Sequence, residues 1–202
     1  MLAVASALAL SACGGDDSGN ALPQPAEADL AAAHVSGPWT VTITIDTQEP
    51  PVLDDAIAVG DVLERNFVLG NGCNVDTSDC SVNRESAAGQ SSETWTRQGA
   101  VLTYRAELPV SLPCEVDGEE KSTEHTVRAT ITLTITDAIL LGDEWTATEM
   151  AYARGAELVP TTEGCPTGTQ TESGTAVPGT SVPDTSVPDT SVPDTTAPDT
   201  TA

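Results

Sequence analysis

Thr126-Val127-Arg128-Ala129-Thr130-Ile131-Thr132-Leu133-Thr134-Ile135-Thr136 decides how the chain folds. Apolar residues stand at every second position and threonine or arginine fills the positions between. That period matches a β-strand with one buried and one solvated face, and the β-branched residues favour it. Asp137 and Gly142-Asp143 bracket a turn, after which Glu144 to about Tyr152 returns as the partner strand.

Outward from this pair the same grammar repeats. Glu93 to Arg97 and Val101 to Leu108 face each other across Gln98-Gly99-Ala100, a hairpin whose inner face is expected to hold Leu102, Tyr104, Ala106 and Leu108. Trp39, Val41, Ile43 and Ile45 alternate with Thr40, Thr42, Thr44 and Asp46, and Pro50-Pro51 ends that strand. Leu63, Phe67 and Leu69 mark another, closed by Gly70-Asn71-Gly72, and Cys80 to Glu85 is a short candidate. No helical period is sustained between Trp39 and Arg154. The expectation is an all-β domain over residues 38–166, an antiparallel meander forming an up-and-down barrel or half-barrel, with a β-sandwich as the alternative.

Residues 13–37 read as a flexible linker in which Glu27 to His34 makes at most a helical turn with little to bury, His34 being solvated. Residues 167–202 read as a disordered tail. Ser181-Val182-Pro183-Asp184-Thr185 recurs at Ser186 and Ser191 and degenerates at Thr196, and Ala176 to Thr180 is a worn copy. Regular proline favours polyproline II, and regular aspartate repels its neighbours. Such Ser/Thr/Pro-rich tails resemble O-glycosylated stalks; a bare acidic tail is the simpler reading.

The N-terminus carries the one family resemblance. Met1 to Leu10 is a short apolar run, residues 1–12 read as a signal peptide that closes on Leu10-Ser11-Ala12-Cys13, and a polar stretch beginning Gly14-Gly15-Asp16-Asp17 follows. The run suits the apolar region of a signal peptide and is too short to span a bilayer, although no cation precedes it. Leu-Ser-Ala-Cys in this setting resembles the lipobox of bacterial lipoproteins, and the composition suggests an actinobacterial source. The resemblance implies cleavage before Cys13 and its diacylation. It further implies an extracytoplasmic protein held by palmitate-type chains on the outer face of the cell membrane, since two chains anchor where one does not.

Export makes disulfides the expected state of the remaining four cysteines, Cys73, Cys80, Cys114 and Cys165. Three pairings are open, of which Cys73–Cys80 and Cys114–Cys165 is preferred. Loop-closure entropy gives the short loop roughly 2.5 kcal/mol and the long one about 4 kcal/mol. A four-cysteine zinc site fits the spacing poorly.

The formal net charge is −24. Phosphate backbones and anionic lipid headgroups repel such a chain, which argues against nucleic-acid binding. The expected partners are the membrane, through the lipid, and an envelope protein or polysaccharide.

Sites for chemistry are sparse, and no enzyme, cofactor or metal is expected. His125 lies on the inner parity of its strand, but no Gly-x-Ser-x-Gly marks a nucleophile for it. Glu119-Glu120 and Asp143-Glu144 read as solvated turn acids rather than a glycosidase pair. Asn71, Asn74, Asp76 and Asp79 offer oxygen ligands without the spacing of an EF-hand loop. Trp95, Arg97 and Arg105 are the candidate ligand-binding residues. A cation facing inward beside the ring would suit a small anionic or polar ligand, but the expectation is that the arginines face outward and pair with Glu93 or Glu107. Two main functional readings follow: an envelope lipoprotein with a binding or structural β domain, or a lipocalin-like carrier of a small ligand. A secreted hydrolase is a distant third. An interior cavity lined by polar groups selects the carrier.

Overall fold

The computed structural model describes residues 24–49, 57–86 and 89–179. The lipobox with Cys13, Pro50-Pro51 and the repeats from Ser181 onward lie outside these residues.

Eight antiparallel strands follow one another around a closed barrel: β1 (Gly37–Glu49), β2 (Val62–Leu69), β3 (Asp79–Ser86), β4 (Gly89–Gln98), β5 (Val101–Val116), β6 (Glu119–Leu141), β7 (Glu144–Pro160) and β8 (Gly168–Pro178). Each strand pairs with its sequence neighbour, and β8 closes on β1 with Trp39 opposite Pro178. The up-and-down barrel is therefore the architecture, and the sandwich is excluded.

The threonine-rich stretch of β6 behaves as its period dictates: Ile131, Leu133 and Ile135 are buried. A bulge between Ile135 and Ala138 reverses the parity, so that Asp137 faces out and Ala138 is buried. Phe67, Trp95 and Tyr152 join the aliphatic core, with Phe67 edge-on to Trp95 at 6.0 Å. Both preferred disulfides are present, with Cα separations of 4.8 Å for Cys73–Cys80 and 5.6 Å for Cys114–Cys165.

Four expectations need correction. Gly168–Pro178 is not tail but the closing strand β8. Its inward positions are Gly168, Gln170, Glu172, Gly174 and Ala176, so no apolar alternation announces it. At Gly174 a Cβ would lie 2.1 Å from the carbonyl oxygen of Thr42, so glycine is required where β8 crosses β1.

The described part of the linker is not free either. Helix α1 (Glu27–Ala32) and the residues after it cap one pole of the barrel. Ala33 and Val35 are buried, and His34 joins its backbone to Trp145 and Ala147. The Asn74 carboxamide oxygen accepts from the N–H groups of Val35 and Ser36, and the Trp39 indole donates to the Val35 carbonyl at 2.7 Å. This lid is held by these hydrogen bonds together with Leu30, Ala33 and Val35 against the core, and hydrophobic periodicity does not register the hydrogen-bonded part.

Leu108, expected inside, is 56% exposed. β5 and β6 run on past the barrel wall as a hairpin arm, turning at Asp117-Gly118, both with positive φ. That is the signature of a two-residue primed turn. Glu119 and Glu120 are accordingly strand residues, not turn acids. The Cys114–Cys165 disulfide fastens the arm to the β7–β8 connection.

Candidate functional site

Sealed at the α1 pole, the barrel interior turns polar toward the other. Inward positions there carry Arg65 on β2, Arg84 on β3, Tyr152 and Arg154 on β7, and Gln170 and Glu172 on β8. Together with Ile43, Ile57, Leu63 and Phe67 they line a cavity of about 290 Å³. That lies near the lower end of small-molecule sites, roughly 300–1,000 Å³. An eight-stranded barrel is wide enough for filling side chains or one small ligand.

Two carboxylates organise this interior. Glu172 accepts the Tyr152 hydroxyl at 3.0 Å and the Gln170 carboxamide N–H at 2.7 Å, and it is ion-paired with Arg154. Glu93, 5% exposed at its side chain, pairs with Arg84 at 2.8 Å and accepts the Trp95 indole N–H at 3.1 Å. Burial, reinforced by Glu172, pushes the Tyr152 phenol well above its ordinary range. Burial and Glu93 push Tyr104 upward too, with Arg84 opposing.

Not every polar group is matched. Arg65 forms no ion pair among the described residues. Arg84 Nε and Gln170 Oε1 are buried without a hydrogen-bond partner among them. Buried polar atoms are normally satisfied, so such positions ask for an explanation.

The three residues singled out from sequence are not brought together. Trp95 is fully buried, stacked on Tyr104 at 5.6 Å, with its N–H committed to Glu93. Arg97 also faces inward, against the expectation that it pairs outside with a glutamate. It sits at the sealed pole and donates to the carbonyls of Cys73, Ala31 and Gly99 at 2.7, 2.8 and 2.9 Å. Burial lowers its pKa, and Asp76 opposes the shift. Arg97 is thus a plug that satisfies backbone acceptors. Arg105 points outward and is exposed, and Glu107 pairs instead with Arg128 at 3.2 Å.

The cavity residues left unremarked in the sequence did carry a signal. Arg65 interrupts the inward row Leu63, Phe67, Leu69, and Arg154 interrupts Met150, Tyr152, Ala156, Leu158. A cation at a core parity position points into the interior.

Other candidates have structural partners. Asn74, Asp76 and Asp79 accept hydrogen bonds from the Val35 N–H, the Gly99 N–H and the Thr96 hydroxyl respectively, and no metal-ligating cluster occurs among the described residues. His125 is buried, and its Nδ1 contacts the Thr123 carbonyl at 3.1 Å. Among the described residues it meets neither a serine hydroxyl nor a carboxylate by hydrogen bond.

Compared with known proteins, the chain matches no protein family, no characterised sequence and no solved structure.

Proposed function

We propose that the chain is a non-enzymatic lipoprotein of the cell envelope, anchored through Cys13, whose barrel carries a small ligand in the polar cavity. The observation that carries this reading is the concentration of charge. In a chain of net charge −24, three of the six arginines meet around one interior space. A purely structural core gains little from this arrangement, because buried ion pairs are weak stabilisers once desolvation is counted. The lipobox resemblance supports the anchor, and the two disulfides suit an oxidising location.

Mass spectrometry of the protein extracted from its host membrane tests both parts. Under denaturing conditions the expected mass is that of a chain beginning at a diacylated Cys13 with two disulfides. Under native conditions one additional small molecule per chain is expected. An unmodified N-terminus overturns the anchor, and a native mass equal to the denatured one overturns the carrier.

A further inference from the structure

We propose that the cavity takes a small organic monocarboxylate, its carboxylate on Arg65 and its apolar part against Ile43, Leu63 and Phe67. The proposal rests on the carrier reading and names its ligand class. Three guanidinium groups line the space, and two carboxylates answer them: Glu172 on Arg154 and Glu93 on Arg84. Among the described residues, three cations against two anions leave one positive charge, and Arg65 is the one of the three arginines without an ion pair there. A single negative charge balances it. A phosphate ester, at nearly two charges at neutral pH, exceeds the balance.

The geometry favours a planar group as well. A guanidinium presents parallel N–H donors that match a carboxylate edge, and its weaker hydration suits a partly buried pair. Two further groups belong to residues lining the same cavity. Arg84 Nε is a buried donor with no partner among the described residues, and Gln170 Oε1 is a buried acceptor in the same condition. The first suits the second carboxylate oxygen; the second suits a hydroxyl or N–H elsewhere on the ligand. Leu63 and Phe67, which flank Arg65 on the inner face of β2, and Ile43, paired with Leu63 on β1, offer hydrocarbon and an aromatic ring beside the guanidinium. A ligand with one anionic end and a short apolar body meets both the guanidinium and the apolar side chains around it.

Isothermal titration with benzoate, hexanoate, their neutral amides and inorganic phosphate tests the assignment. One carboxylate per chain should bind, with the matched amide about tenfold weaker or more, as loss of a charge-assisted hydrogen bond predicts. Arg65→Met should remove the preference for acid over amide without lowering the melting temperature, and Arg65→Lys should retain part of it. Equal binding of acid and amide overturns the charge assignment and leaves the carrier standing. Preference for phosphate overturns the monocarboxylate. Failure of every probe overturns this ligand class, while the native mass described above decides the carrier reading separately. The acid–amide comparison on the unaltered protein needs no variant to fold.

Discussion

At Tyr152 one hydroxyl links the fold to pH. The phenol is 4% exposed and donates to Glu172 at 3.0 Å. Ionising it would place two negative charges side by side in a low-dielectric interior, so its folded pKa lies above the unfolded value near 10. A group raised in this way contributes stability that is complete below the unfolded pKa and is lost as pH rises through the folded one. Tyr152→Phe should therefore cost about 2 kcal/mol at neutral pH, through the lost bond to a charged acceptor. The deficit against the wild type should shrink above about pH 10, where only the wild type has the Tyr152 proton to lose on unfolding, Tyr104 being common to both. Urea denaturation at neutral and alkaline pH measures both gaps, and a gap that stays constant would place the alkaline sensitivity elsewhere. Arg97 teaches the residue-scale lesson from the other side. It shares the parity of Trp95, yet an outward side chain was expected, and its role could not be read because its acceptors are main-chain carbonyls from three separate segments.

Among the elements, β5 has a long free flank. It pairs with β4 over only three positions, Thr96 with Thr103 to Gln98 with Val101, and then continues alone on that side to Val116. The two-residue turn closing on Gln98 and Val101 aims the polar backbone groups of odd-numbered β5 residues at this open flank. Pro109 and Pro113 fall on that set, so two of its donors are missing, an arrangement that discourages edge-to-edge pairing. Replacing both with threonine should restore the donors and yield dimers or larger species in size-exclusion chromatography with light scattering. An unchanged elution mass would show that the flank is guarded by something else. Element legibility followed hydrophobic contrast. Thr126–Thr136 and Trp39–Asp46 were plain because Ile, Val, Leu and Trp alternate with threonine. β8 was opaque because its inner face belongs to the cavity: Gln170 and Glu172 stand where a core strand would carry Val or Leu. Polar residues that line a cavity erase the pattern by which a strand is recognised. The arm was missed for a related reason, since outside the barrel neither face of a hairpin needs to be apolar.

For the molecule as a whole, the two disulfides do unequal work. Cys73–Cys80 closes a loop of sequence separation 7, and Cys114–Cys165 one of 51. On loop-closure entropy the second contributes about 4 kcal/mol by restricting the unfolded chain. A Cys114→Ser/Cys165→Ser variant should lose stability on that scale in chemical denaturation, with the barrel's far-ultraviolet circular dichroism retained at room temperature. A loss confined to faster hydrogen exchange in the arm would show instead that the bond steadies the arm alone. The sealed pole has a mechanical corollary. β1 begins and β8 ends there on neighbouring antiparallel strands, with Trp39 opposite Pro178. Tension applied between the two ends of the folded unit, once α1 has peeled away, meets that seam as a zip, parting one rung at a time instead of shearing the ladder together. The barrel should yield at low force along this line, and neither sulfur bridge, each lying elsewhere on the wall, would bear the first load.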